Sequence, residues 1–341
     1  MSERVAVLSS SYPREPGDAS GHFVAAEVRQ LVQAGHEVHV FAPGPLSGES
    51  ESEGARVHWL ADGGAFGWPG ALSRLKEDPR RALGVTAFAA RAVSALRGAG
   101  SFARLQAHFL LPCAWPIVTF SFGPRSSAKL ELVGHGSDVR LFCRLPASVR
   151  RSVARTWLAR GASLRVTSAE LAELLSAASP ELSASLRVEA SPIDVEGVPQ
   201  RDSARRALGL DPSRQLVLVV SRLIPSKRVA LALRALQLLN AISVVVVGDG
   251  PELEALRNAF PRVQFTGRLP RPQTLSYIAA ADVLVSASAE EGAPSVVREA
   301  RALGVKVVAV AAGDLALWAS ADPDLLLVSR REHRAPPRVG R

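Results

Sequence analysis

Cysteine, methionine, long apolar runs and several familiar catalytic signatures are scarce or missing in this chain, and each shortage removes a class of protein. Two cysteines, Cys113 and Cys143, in 341 residues make neither a disulfide framework nor a zinc site. A pair of free, mostly buried thiols is expected. No apolar run approaches the length of a membrane span. The amino-terminal apolar run at residues 5–8 is too short for a signal peptide, which predicts a cytoplasmic protein. A single methionine and few lysines beside many arginines reflect coding bias and carry no functional signal. The first βα turn lacks Gly-x-Gly-x-x-Gly, so no dinucleotide cofactor is indicated. No Asp-x-Asp pair stands ready for a metal, and nothing resembles a nucleophile elbow.

What is present is an apolar fraction of 47%, enough for two cores, in a chain long enough for two domains. The net charge of +9 is uneven. Residues 74–165 hold 16 Arg/Lys against 4 Asp/Glu, a local excess of +12. Such a band suits an anionic membrane surface or a phosphorylated substrate, or is simply a solvated arginine-rich surface. Without an RNP, zinc-finger or helix-turn-helix signature, no nucleic-acid partner is expected.

Along the chain, short Val/Leu-rich runs alternate with helical periodicity. Strands are expected at 5–10, 37–42, 56–60, 104–108, 129–134, 164–167 and 186–189, and again at 216–220, 243–247, 263–265, 282–287, 305–310 and 325–328. Helices are expected after Gly21 to Ala34 and at 80–96, 112–120, 146–160, 169–177, 229–239, 251–259, 273–280 and 294–303. Buried strands alternating with helices predict an α/β fold of two Rossmann-like, doubly wound parallel-sheet domains facing across a cleft. A Pro- and Gly-bearing link at 191–199 divides them, giving domains at 1–192 and 200–341.

The chemistry gathers around residues 281–309, read as strand, loop, helix and strand. Glu291 falls in the loop at a strand's carboxyl end, where open α/β sheets bind ligands. Glu299 follows eight residues later, inside the helix that Pro294 opens, and a carboxylate there can accept from a ribose diol. The helix N-terminus between them offers free N–H groups to a diphosphate. The alternative is a pair of solvated helix-face charges. Arg222 and Lys227 follow the first strand of the second half and can neutralise a diphosphate leaving group, or are two exposed loop cations. The turn Gly248-Asp249-Gly250-Pro251 is placed to approach a nucleotide base. His135, between Gly134 and Gly136 at a strand end, is expected to be exposed, able to bond a sugar hydroxyl or assist proton transfer, unless it is structural. His108 is a weaker candidate. The polar loop before Gly21 reads as an acceptor or phosphate loop, or as a plain connection.

Taken in order, these segments resemble the retaining GT-B glycosyltransferases of family four, the group 1 glycosyltransferases. Glu291 and Glu299 match the family's E-x7-E, residues 221–227 its Arg-Leu…Lys segment, and residues 248–251, 135–138 and Gly21 its remaining motifs. The resemblance covers nearly the whole chain. It implies a nucleotide-sugar donor, UDP- or GDP-linked, no metal or other cofactor, and a glycan, lipid-linked or small-molecule acceptor, in cell-envelope polysaccharide synthesis. It implies that Arg222 and Lys227 meet the diphosphate, that Glu299 holds the ribose, and that Glu291 with the backbone of Gly292, Ala293, Pro294 and Ser295 meets donor sugar and phosphate. It implies that His135 lies near the reacting sugar, that Gly250 belongs to the donor site, and that Gly21 approaches phosphates or acceptor. Where the family shows Gly-Gly-x-x-Glu, this chain has Ala311-Ala312-Gly313-Asp314-Leu315, and it continues into a short tail at 330–341. The lack of a long final helix predicts looser closure of the two domains. Other readings are a nucleotide-sugar-binding module without catalysis and a peripheral protein of the inner membrane face acting through the band 74–165.

Overall fold

A computed structural model describes residues 2–121 and 127–328, and the tail at 330–341 lies outside them. Two sheets account for the strands. The first joins β1 (Arg4–Ser9), β2 (Glu37–Gly44), β3 (Gly48–Ser52), β4 (Ala55–Ala61), β5 (Arg104–His108), β6 (Lys129–Gly134), β7 (Ser163–Val166) and β8 (Leu186–Val188) in the order β3-β4-β2-β1-β5-β6-β7-β8. All its pairings are parallel except β3 with β4. The second joins β9 (Gln215–Val220), β10 (Ile242–Val247), β11 (Gln264–Gly267), β12 (Val283–Ser286), β13 (Lys306–Val310) and β14 (Leu325–Val328) in the order β11-β10-β9-β12-β13-β14, all parallel.

The central strands are covered by helices on both faces, which is why they read as unbroken apolar runs. Val5, Ala6, Val7 and Leu8 are wholly buried, the even positions in one core cluster and the odd in another. Each such valine or leucine contributes about 1.5–3 kcal/mol of burial. In the second sheet Leu216 and Leu218 face one cluster, Val217 and Val219 the other. Ala204, in the helix Arg201–Ala207, packs in the second sheet's core, with Val195 and Val198 of the preceding link against it.

Three differences from the sequence reading have local causes. The helix expected at 112–120 is broken: Leu111 and Trp115 are extended, because each precedes a proline, Pro112 and Pro116, whose ring disfavours helical backbone before it. The helix expected at 229–239 ends at Leu236, leaving Leu238 and Leu239 exposed. Pro294 is not a first-turn residue but the cap itself, and the helix runs Ser295–Ala302. No helix among the described residues is long and apolar enough to cross a membrane. The basic band is not one surface. Arg165 is buried against Glu27, Arg150 donates to the carbonyls of Cys143, Leu145 and Ala178, and Arg140 pairs with Glu170.

Candidate active site

In each sheet the chain leaves a central strand in one direction and later returns on its other side. These reversals fall beside β1, between β2 and β5, and beside β9, between β10 and β12. Loops diverge at such points and leave a crevice at the strands' carboxyl ends.

At the second reversal the segments after β9 and β12 lie side by side. Ala289 N–H donates to the Ser226 carbonyl at 2.8 Å, and Lys227 Nζ donates to Glu291 Oε1 at 2.5 Å, both side chains largely shielded. Arg222 reaches across the cleft, donating from Nη1 to the Pro69 carbonyl at 2.6 Å. Burial lowers the Arg222 pKa, and the Glu291 carboxylate works against that fall. A guanidinium held this way is a fixed cation with little hydration left to lose. Arg222, Lys227 and Glu291 are therefore brought together.

Glu299 sits deeper, 2% exposed. Its Oε1 accepts from Arg271 Nη2 at 3.0 Å and stands 3.6 Å from His22 Nε2 of the opposite sheet's first helix, His22–Gln33. Burial pushes the carboxyl up, but the neighbouring His22 and Arg271 outweigh it and hold it below its usual range. Neither partner was foreseen. His22 follows Gly21 directly and Arg271 stands in an Arg/Pro-rich stretch, so neither carries a local sign of pairing with residue 299.

His135 is not exposed. Its ring lies 4.7 Å from those of Phe23 and Phe109 and stacks on His108 at 5.3 Å, with His108 Nδ1 and His135 Nε2 3.1 Å apart. The flanking glycines do not cover it; rings from other segments do. His108 is fully buried, its Nε2 3.8 Å from Glu27 Oε2. Burial, reinforced by the Arg165 cation, pushes His108 down to about 3. Burial and the His108 ring hold His135 well below its ordinary value. Both imidazoles are thus neutral near pH 7: they can exchange hydrogen bonds with hydroxyls but take up a proton only at high cost. Asp138 anchors the turn, accepting backbone N–H groups of Leu110, His135 and Gly136 at 2.8, 3.1 and 2.9 Å.

Two glycines act through close approach. Gly21, at φ 66° on the cap of the first helix, has no space for a side chain: a Cβ would lie 2.2 Å from the Ser11 carbonyl oxygen. Gly250, at φ 156°, would put a Cβ 2.5 Å from the Leu223 oxygen. Leu223 N–H donates to Asp249 at 2.9 Å and the Leu223 carbonyl accepts from Glu252 at 3.1 Å. The turn at 248–251 therefore buttresses the backbone that carries Arg222. Among the described residues no group of three or more His, Cys, Asp or Glu is placed to hold a metal ion.

The departure at 311–315 turns out to join the two halves. Asp314 accepts from Ala169 N–H at 2.8 Å and Glu170 N–H at 3.2 Å, capping the helix Ala169–Ala178 of the first half. Gly292 faces the His135 carbonyl, Thr167 and Leu171 across the same seam, and Arg140 Nη2 donates to the Glu291 carbonyl at 3.2 Å. Arg271 N–H donates to the Gly17 carbonyl at 2.7 Å. Besides these, the Arg222–Pro69 hydrogen bond and the approach of His22 to Glu299 also cross the seam.

Residues 200–316 match the family model described as Glycosyl transferases group 1. A Bacillus subtilis (strain 168) protein carrying the name teichuronic acid biosynthesis glycosyltransferase TuaC is 30% identical over 211 residues, 61% of this chain and 53% of that protein. A GDP-mannose-dependent alpha-mannosyltransferase of Mycolicibacterium smegmatis is 35% identical over 123 residues, 36% of this chain and 32% of that one. The matched stretches thus span about half or less of these relatives. Among solved structures, sucrose-phosphate synthase from Thermosynechococcus elongatus superposes with a TM-score of 0.73 at 21% identity, over 96% of this chain and 86% of that one. Anabaena Alr3699/HepE in complex with UDP-glucose superposes with a TM-score of 0.66 at 17% identity, over 97% and 86%. These likenesses establish the GT-B fold: two parallel-sheet α/β domains.

Proposed function

We propose that this protein is a retaining glycosyltransferase of family four that moves a sugar from a UDP- or GDP-linked donor to a hydroxyl acceptor. The observation that carries this reading is the grouping of Arg222, Lys227 and Glu291 at the second sheet's reversal, with the adjoining Gly292 against the His135 carbonyl of the first. Support comes from the group 1 match over residues 200–316, from the donor in the name of the mycolicibacterial relative, and from the UDP-glucose held by the Anabaena structure of the same fold.

In this reading the donor's diphosphate lies between Arg222, Lys227 and the N-terminus of the helix Ser295–Ala302, with the backbone of residues 292–295 against sugar and phosphate. Its arrival exchanges the Lys227–Glu291 contact for a Lys227–phosphate contact. Glu299 takes the ribose hydroxyls, and Glu291 faces the donor sugar. The bond from the anomeric carbon to the phosphate oxygen breaks, and its electron pair stays on the phosphate, where two fixed cations stabilise the growing charge. The acceptor oxygen bonds to that carbon from the same face. Its proton passes to the departing phosphate, since the neutral His135 is a poor proton acceptor but a suitable hydrogen-bond partner for a sugar hydroxyl. No step requires a metal.

Donor turnover tests this. Lys227→Ala and Glu299→Ala should each depress it strongly, and unchanged rates in both would remove the mechanism. Calorimetry that finds donor binding with neither transfer nor donor hydrolysis would instead identify a binding module.

A further inference from the structure

A polar cavity lies beside the first sheet's reversal, bordered by the loop that Arg222 touches. It encloses about 270 Å³ between the loop after β1, the loop around Trp68, and Arg268 of the second half. Three guanidinium groups line it, those of Arg14, Arg74 and Arg268, and Asp18 is the lining carboxylate.

The cations are unequally matched. Arg268 pairs with Asp18, lies 3.3 Å from the Ser20 hydroxyl and stacks over Trp68 at 5.0 Å. Arg14 reaches Asp62 Oδ2 at 3.4 Å, but that carboxylate, almost wholly buried, also accepts from the N–H groups of Gly64 and Phe66. Arg74 has no carboxylate in salt-bridge range among the described residues, and its Nε and Nη1 donate only to the carbonyls of Gly64 and Trp68, at 2.8 and 3.1 Å. Arg74 and Arg14 nonetheless stand together. From the point where a Cβ on Gly67 would sit, Arg74 Nη1 is 3.5 Å away and Arg14 Nη1 3.9 Å. Burial and the adjoining Arg81 and Arg14 lower the Arg74 pKa, with Asp62 partly opposing. Two neighbouring guanidinium forks, one without a carboxylate partner and one on a carboxylate already occupied, with a third guanidinium and serine hydroxyls also lining the cavity, match a tetrahedral oxyanion better than a neutral sugar.

Position gives the cavity its role. Trp68 lines it, and the next carbonyl, Pro69, accepts the Arg222 hydrogen bond at 2.6 Å. An anion seated there is separated from the candidate donor-diphosphate cation by one turn of loop. We propose that the cavity binds the phosphate group of a phosphorylated acceptor and so presents one of that acceptor's hydroxyls to the transferred sugar. This rests on the transfer reading above and adds the acceptor's chemical class to it. The volume of about 270 Å³ lies just below the usual range for small-molecule sites, about 300–1,000 Å³, so a small head group fits and a long glycan does not.

Calorimetry on the full chain tests it. The probes are glucose 6-phosphate and glycerol 3-phosphate, each beside its dephosphorylated form, and vesicles of phosphatidic acid beside vesicles of phosphatidylcholine. At least one phosphate monoester should bind about tenfold or more tighter than its dephosphorylated counterpart, a difference of about 1.4 kcal/mol. A soluble ester that binds identifies a free acceptor, and binding confined to phosphatidic acid identifies a lipid head group. Arg74→Gln should weaken that binding by about tenfold. Because Arg74 also braces its loop, Arg268→Gln serves as the second variant and should weaken binding in the same sense. Equal binding of phosphorylated and plain forms, or both variants binding as the wild type does, would overturn the inference. UDP and GDP titrated into the same samples separate the two readings: nucleotide without phosphate-ester binding removes only the acceptor site, whereas ester binding without nucleotide removes the acceptor role and transfer together.

Discussion

The carboxyl ends of the two sheets differ in kind although their topology is alike. Beside β9 and β12 the cleft is met by Arg222, Lys227 and Glu291, charged and held by partners. At β5 and β6 of the first sheet it is met by His135, neutral and packed among aromatic rings, with the neutral His108 buried behind it. Topology selects the place where a ligand can lie, and the side chains delivered there select its chemistry. An edge of fixed cations suits a diphosphate. An edge of neutral imidazoles suits hydroxyl groups.

The sharpest way to break this contrast is to remove a cation from the second edge. Lys227→Ala should cost about 10²–10³ in turnover, the usual loss when one fixed donor to a developing anion is deleted. Steady-state kinetics with the nucleotide sugar that binds would show it, and a comparable loss from removing His135 would erase the distinction between the edges. Next in size is Gly250→Ala. The φ of 156° and the 2.5 Å approach to Leu223 predict a loss of about 1–3 kcal/mol in thermal or urea unfolding, together with weaker nucleotide binding because Arg222 shifts. If stability falls and nucleotide affinity does not, the turn supports the fold and not the Arg222 segment.

The first edge is tested by pH. His108 is held at about 3 in the folded protein against 6.5 unfolded. Between those values the unfolded chain binds a proton that the folded one refuses, so stability falls as pH drops below about 6.5. Glu299, lowered from 4.5, acts in the same direction further down: its contribution is present above 4.5 and is lost as pH falls through the folded value. His108→Asn, which retains a group near the Nδ1 position, should flatten the slope between pH 6.5 and 3 by up to one proton, measured from urea midpoints at successive pH values. An unchanged slope would mean the imidazole is not shielded. The smallest effect is expected at the seam. Asp314→Ala removes a helix cap and should cost about 0.5–2 kcal/mol, with a slightly larger radius of gyration in small-angle scattering. An unchanged radius would assign closure to the other cross-seam contacts.

Much of the architecture was legible because it is written in short-range patterns. The runs at 104–108 and 129–134 are β5 and β6 to the residue, since Leu105 and Ala107, and Leu130 and Leu132, recur at the strand period of two. Strand β3 escaped notice: Gly-Glu-Ser-Glu-Ser is polar throughout and lies exposed at the sheet's edge. The helix Ser137–Cys143 is too short to display a period. Within the candidate site, the positions of Glu291, Arg222 and Lys227 at strand ends could be read from the order of elements. The exposure expected of His135 could not, because its neighbours in sequence are glycines while the rings that cover it belong to Phe23 and Phe109.

Order along the chain was enough to specify two parallel α/β sheets and to set a pair of cations and a pair of carboxylates beside the second one, because strand burial and helical period depend on neighbours a few residues away. Pairing and protonation were decided elsewhere. The contact of Arg222 with Pro69 and the approach of His22 to Glu299 arise only when segments from opposite halves meet, and the pairing of Arg271 with Glu299 and the neutrality of His108 and His135 only when distant segments of one half pack together. Desolvation and Coulomb energy depend on distance in space, and residues far apart in the chain supply it here.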